Sequence, residues 1–381
     1  MFKSLVRIAA IADKEWIHIR RDLRSLILVI FLPLFMILLF GYALSVDVKH
    51  VTIAVNDQDR THLSRSFSEK FMQTEYFKFI KFADSTKEID KLIDKGDITL
   101  ALVIPPNFEK DFKAGKAANL QVLIDGSDSN TATIALGYLK GITFQFNKEI
   151  QSLELKKIGI TDIKEPIDIK TRVWYNPEMR SKNFIIPGLI VLILAIISAL
   201  TTSLTIAREW EMGTMETLIT TPVKGFEIII GKLIPYIFIG LFNVFLALAV
   251  GYFLFDVPLK GSFFELSTIS ILFLIGTSGI GLLISSLSKN QLLSVQLASF
   301  ITYLPSFLLS GYMFPIKNMP AFVQFVTFFI PARYLIIVSK GIVQKGTAYY
   351  MLWTEIFFLL VFALLVLSIN LLTFRTRLPK K

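Results

Sequence analysis

The chain has 381 residues, 53% of them hydrophobic, 13% aromatic and only 18% charged, with 34 Phe and no Cys. That apolar excess excludes an ordinary soluble domain, and the missing cysteines exclude disulfides and thiolate metal sites. The formal net charge of +10 reads as a topology signal and as affinity for an anionic inner leaflet, not as a nucleic-acid surface.

Residues 1–24 place Leu5, Ile8, Ala12, Trp16, Ile19 and Leu23 at helical spacing, with Lys3, Arg7, Lys14, Arg21 and Asp22 around the rest of the turn. This pattern predicts an amphipathic helix along the inner membrane surface, Trp16 at headgroup depth. Two roles fit it, a positive-inside anchor or a seat for a cytoplasmic partner. A bilayer needs about 20 consecutive apolar residues per spanning helix. Six charge-free intervals meet that need: Ser25 to Val46, Asn183 to Ala207, Leu233 to Phe255, Leu266 to Ser288, Asn290 to Ile316 and Ile356 to Phe374. The first carries Pro33 in an apolar run too long for a cleaved signal peptide.

Residues 47–182 are long enough to form a domain, and their pattern alternates. Val51 to Val55, Tyr76 to Phe82, Ile98 to Pro105, Leu120 to Asp125 and Ile167 to Tyr175 read as strands, while His62 to Gln73, Lys87 to Asp94, Asn107 to Lys113 and about 131–157 read as helices, the last capped from Asp128, Ser129 and Asn130. The fold class expected is a polytopic α-helical membrane protein with six transmembrane helices and an α/β extracytoplasmic domain inserted between helices 1 and 2. Cations at both ends, among them Arg20, Arg21 and Arg24 in the first segment and Arg375, Arg377, Lys380 and Lys381 in the basic tail 375–381, put both termini in the cytoplasm. An even number of spans satisfies that orientation. Residues 47–182 then lie outside, and the loop 208–227 lies inside.

Residues 228–374 hold helices 3–6. Within them Ala321 to Val343 is apolar enough to suggest a further span, but Pro331 and Arg333 divide it. The expectation is a pair of outer re-entrant half-helices at about 317–343, sheltered by protein, or equally an interfacial loop packed on the bundle.

Little catalytic chemistry is visible. His18, His50 and His62 are scattered and show no zincin spacing. The stretch Gly225 to Leu233 has five residues between its glycines where a phosphate loop needs four, and Leu233 stands where Ser or Thr would bind magnesium. Asp125 and Asp128 suit turn and cap chemistry. The six apolar intervals contain no ionisable residue, whereas gradient-driven transporters keep one at mid-membrane. Neutral polar groups do occur. Thr201, Thr202, Ser203, Asn243, Gln291, Ser294 and Gln296 could line a translocation path or a dimer interface, or bond within and between their own helices.

The segment REWEMGTMETLITTPVKGFE, Arg208 to Glu227, packs charges of both signs around one glycine between two apolar runs. It resembles the cytoplasmic loop of type-2 ABC transporter permeases, and similar phrases extend along the whole chain: FLPLFMILLFGYAL from Phe31, IDGSDSNTA from Ile124, FIIPGLI from Phe184, KLIPY from Lys232, GLLISSLSKNQ from Gly281, LPSFLLSGYMFPIKNMP from Leu304 and IPARY from Ile330. The large outer domain resembles the bacterial multidrug-exporter branch. The resemblance implies a permease that moves drug-like or amphipathic substrates, or inorganic cations, outward. It implies a short coupling helix seated in a separate ATPase subunit, with Arg208, Glu209, Trp210, Glu211, Gly213, Thr214, Met215 and Glu216 at the contact and Met212, Met215 and Leu218 as its apolar ridge. No cofactor is then expected on this chain, ATP and Mg being held by the partner ATPase. A second permease copy or a paralogue completes the assembly in the inner membrane, and a periplasmic adaptor is a further possible partner. The competing classes are a secondary transporter or channel without an ATPase, and a membrane-anchored receptor that uses its outer domain for binding.

Overall fold

The structure, a computed structural model, describes residues 2–43, 50–157, 174–176 and 180–377. The chain divides into two compact units, one built from residues 1–45 with 172–381 and the other from 46–171.

Chain order begins in the first unit with α1 (Phe2–Arg21), α2 (Leu23–Leu26), a π-helical stretch Ile27–Phe31, and α3 (Leu32–Ala43). The second unit follows as β1 (Val51–Asp57), α4 (His62–Met72), β2 (Phe77–Phe82), α5 (Thr86–Asp94), β3 (Leu100–Ile104), α6 (Phe108–Lys113), β4 (Gln121–Ile124) and α7 (Ser129–Lys157). The first unit resumes with α8 (Ser181–Glu211), α9 (Thr214–Thr220), α10 (Gly225–Phe255), α11 (Phe263–Ser288), α12 (Gln291–Ala298), α13 (Leu304–Leu309), α14 (Ala321–Thr327), α15 (Pro331–Lys340) and α16 (Trp353–Arg377).

In the α/β unit the sheet order is β2-β1-β3-β4, with β1 parallel to both β2 and β3 and β4 antiparallel to β3. All five residues of β3 are buried, which is why LALVI is a continuous apolar run and not an alternating one. Helices start where the side chains supply caps: Thr61 accepts from the Ser64 backbone N–H and Ser85 from that of Glu88, satisfying donors that the first helical turn leaves open. Phe67 is the centre of one core, its ring edge-on to Phe71 and Phe146. The expected strand Ile167 to Tyr175 lies outside the described residues as far as 173, and Trp174 and Tyr175 form a bend.

In the helical unit α8 is the central post. Every residue from Ile185 to Ala199 is buried, so the most apolar run in the chain faces protein on all sides. Among the described residues, five helices are long and apolar enough to cross a membrane: Ser181–Glu211, Gly225–Phe255, Phe263–Ser288, Gln291–Leu309 and Tyr349–Phe374. The pair Ala321–Thr327 and Pro331–Lys345 is bent by 80°, so it has the break that Pro331 predicts. Counted as one span it would raise the total to six. The interval expected as helix 1 is a shorter apolar helix, Val29–Tyr42, and its end at 44–46 lies outside the described residues.

Helix α1 forms as expected, but its buried stripe is different. Ile11, Glu15 and Ile19 point inward, while Leu5, Trp16 and Leu23 are exposed. The sequence stripe followed apolarity alone. The packed stripe is set by α10, against which an acid also finds a partner.

Candidate functional site

Helix α8 ends in a tight reversal. Met212 caps it, and Gly213 follows with φ +70°, a left-handed conformation that costs a side-chain-bearing residue about 1–2 kcal/mol. The chain restarts at once as α9, the short helix expected inside the charged hairpin.

The charges of that hairpin are mostly answered within the chain. Glu209, 6% exposed, accepts from Lys14 Nζ at 2.7 Å and from Lys232 Nζ at 3.0 Å. Lys232, 1% exposed, also donates to Glu15, whose other oxygen lies 3.4 Å from the Tyr236 hydroxyl. Arg208 Nη2 donates to Asp22 Oδ2 at 2.9 Å. Glu211 accepts from the Gln291 backbone N–H at 2.8 Å and from its side-chain amide at 2.5 Å. In the first turn of α10, buried Glu227 accepts from Ser4 Oγ at 2.5 Å, with Arg7 at 3.5 Å. Two acids and two cations thus form a charge-balanced clamp, Glu15, Glu209 and Lys232 buried and Lys14 at its half-exposed edge. Such a cluster persists only when every charge has a partner, because an unpaired buried ion costs several kcal/mol.

Close backbone approach makes the clamp possible. A Cβ on Gly231 would stand 2.8 Å from Ile11 Cβ and 3.0 Å from the Ile8 carbonyl oxygen, so only glycine lets α1 lie this close to α10. A cavity lined by Lys14, His18, Thr201, Thr205, Arg208 and Tyr236 opens beside it.

Arg208, Glu209 and Glu211, expected at the contact with a soluble motor, have partners within the chain, namely Asp22, Lys14 with Lys232, and Gln291, and of the three Glu211 is exposed. Met215, expected on the exposed ridge, is 3% exposed and packs with Ile206, Ile228, Ile229 and Leu233. Trp210 is half-buried beneath the Lys289 amine, 4.1 Å from its ring centroid. Met212, Gly213, Thr214, Glu216 and Thr217 stay exposed, and form the outer tip of the hairpin.

Sequence reasoning did not pair Glu15 or Glu209 with Lys232, which it weighed in a phosphate-loop-like stretch and in the phrase KLIPY. The signal for Lys232 was there: a cation immediately before a charge-free span, opposite a hairpin rich in acids. Gly225 to Leu233 forms the opening turns of α10, not a loop, and the Lys232 amine is held between two carboxylates.

The neutral polar residues divide. Thr201, Thr202 and Ser203 hydroxyls donate to the Ile197, Ser198 and Leu200 carbonyls of their own helix, and Ser294 pairs with Ser288. Gln296 is exposed on α12. Asn243 is 1% exposed with neither amide atom hydrogen-bonded, so it alone of the seven keeps an open polar group inside the bundle.

Comparison with known proteins places this geometry. Residues 23–372 match the family described as ABC-2 family transporter protein. The chain is 34% identical to the probable multidrug ABC transporter permease YbhS of Escherichia coli over 98% of its own length and 97% of that protein. It is 31% identical to the probable multidrug ABC transporter permease YbhR of the same organism, over 91% and 94%. With the E. coli inner membrane transport permease YhhJ it shares 27% identity over 85% and 84%. Matched from end to end by permeases and carrying the charged hairpin between its two longest apolar helices, the chain belongs to the ABC-2 transporter family.

Proposed function

We propose that the chain is the permease subunit of an ATP-driven exporter, acting as a dimer with a second copy or a paralogue, and that the exposed hairpin tip is the seat of a separate ATPase subunit. The observation that carries this reading is the division of labour in the hairpin. Its inner charges are spent on a rigid clamp, and its outer tip, Met212 to Thr214 with Glu216 and Thr217, is left solvent-facing on that rigid base. A force on the tip is passed through Glu209 to α1 and α10 and through Glu211 to the start of α12, so one hairpin moves three elements together. Nucleotide and magnesium belong to the partner, because Lys232, the one lysine in a phosphate-loop-like context, is already neutralised by Glu15 and Glu209.

In this reading α2 and α3 with the π-helical stretch between them make the first crossing, the five long helices make the others, and the bent pair α14–α15 stays in the outer leaflet. Both termini are cytoplasmic, and residues 47–182 face outward, where an adaptor protein could dock. The relatives' names support drug-like substrates.

The test uses Met212→Asp and Glu216→Arg, both at exposed positions. Expression and thermal stability should match wild type, while copurification of the ATPase falls by about 100-fold, as for loss of a contact worth a few kcal/mol. Substrate-stimulated ATP hydrolysis in the reconstituted complex should fall with it. Wild-type assembly and stimulation in both variants would remove the hairpin tip from the coupling role. Transport driven by an ion gradient without any ATPase would replace the reading with a secondary transporter.

A further inference from the structure

Opposite the hairpin, at the N-terminal end of α8, lies a second charged cluster that the coupling role does not use. Lys182, Lys260, Lys340 and Lys345 converge there, and their charge meets aromatic rings. Lys340 Nζ is 3.5 Å from the Phe184 ring centroid. Lys182 Nζ stands 5.2 Å from Phe255 and 5.8 Å from Tyr42. Lys260 and Lys345 bracket one ring, Tyr175, at 5.7 and 5.6 Å. The backbone holds the group together: Lys260 N–H donates to the Val343 carbonyl at 3.0 Å, and Gln344 donates to the Asn183 carbonyl. Among the described residues no carboxylate lies within salt-bridge distance of any of the four amines.

A ring face attracts an ammonium but accepts none of its three N–H donors as a carboxylate or phosphate oxygen would. Four cations around one bundle end also repel one another. Both deficits are relieved by an anion with several oxygens. Its depth is marked independently. Tyr252, Phe253, Phe264, Tyr349, Tyr350 and Trp353, at this same end of α10, α11 and α16, are all more than half exposed, which is the pattern of the aromatic belt that sits at headgroup level.

We propose that this lysine–aromatic crown binds the phosphate of an anionic phospholipid, with Lys260 and Lys345 as its principal cations and Tyr175 as the platform between them. The lipid would bridge the α10–α11 turn to the end of α15 and neutralise the crown.

The test exploits the cysteine-free chain. Full-length protein carrying Ala348→Cys, labelled with an environment-sensitive fluorophore and held in neutral detergent, is titrated with short-chain phosphatidylglycerol, with phosphatidylcholine and with inorganic phosphate. Saturable binding of phosphatidylglycerol is expected, at least 10-fold tighter than of the zwitterionic lipid. Lys260→Gln with Lys345→Gln should weaken it about 30-fold, from roughly 1 kcal/mol per lost surface cation. The Lys260→Arg, Lys345→Arg pair should bind within about threefold of wild type, which separates lost charge from misfolding. Unchanged affinity in the glutamine pair would overturn the site. A response to inorganic phosphate equal to that of the lipid would overturn the lipid as occupant.

Discussion

Lys232 shows how one side chain can set the character of a site. It is 1% exposed and shared between Glu15 and Glu209, while Glu209 Oε2 is buried with no partner of its own. Removing the amine leaves two facing carboxylates with only Lys14 to compensate them. Lys232→Ala should therefore cost about 3–5 kcal/mol, as expected when one member of a buried pair is deleted, read as a large drop in the thermal midpoint of the purified protein. Lys232→Met combined with Glu15→Gln removes one charge of each sign and keeps Glu209 on Lys14, so it should recover at least half of that loss. Equal instability in the single and double variants would show that lost packing, not stranded charge, is the cause. The acids of the hairpin were legible in the sequence as a concentration of charge. Their direction was not, since Glu209 and its partners Lys14 and Lys232 stand 195 and 23 residues apart, beyond any periodic pattern.

At the scale of elements, the α/β unit was the most readable part of the chain, because its strands and helices carry local signals that need no distant partner. Turn and cap residues there also take on ionic work. Burial opposes charge on Asp59, but the Thr61 hydroxyl and the backbone N–H groups of Glu109, Asn107 and Phe108 outweigh it and hold the carboxyl below its usual range. The Lys81 ammonium does the same for Glu88. A folded-state value below the unfolded one means that the stabilisation is fully present above about pH 4, the ordinary carboxylate range, and is lost as pH falls through the lower folded value. Hydrogen exchange of the full-length protein should show residues 51–124 loosening under acid before α8 does. Asp59→Asn should weaken the start of α6 by about 1 kcal/mol at neutral pH, the usual worth of a helix cap, and blunt that acid response. An acid profile unchanged by Asp59→Asn would assign it to other carboxylates. The π-helical stretch before α3 and the inward stripe of α1 were not readable. Both depend on what the helix packs against.

For the whole molecule the decisive question is which side each unit faces. Ser127 and Thr217 are both exposed, and no native cysteine interferes. A cysteine at Ser127 should react with a membrane-impermeant thiol reagent in intact cells whose outer envelope is permeabilised. One at Thr217 should react only after lysis. Labelling of Thr217 alone from outside would reverse the orientation, and labelling of both from outside would require an even number of crossings between them, with the 80° bend of α14–α15 irrelevant to that parity because it follows both sites.

The sequence by itself determined that the chain is a membrane protein, that an α/β unit interrupts its helices, and that a charged hairpin with a glycine at its turn lies between two long apolar runs. These follow from hydrophobic length, periodicity and turn chemistry, which act over a few residues at a time. Only the tertiary structure decided that Glu209 and Glu211 of the hairpin bond within the chain and tie α1, α8, α10 and α12 together, that α8 rather than another apolar helix is the buried post, and that four lysines gather at the opposite end with no acid paired to them among the described residues. Ion pairing and burial depend on which helices meet, and a pattern along one helix carries no information about the charge that waits on the next.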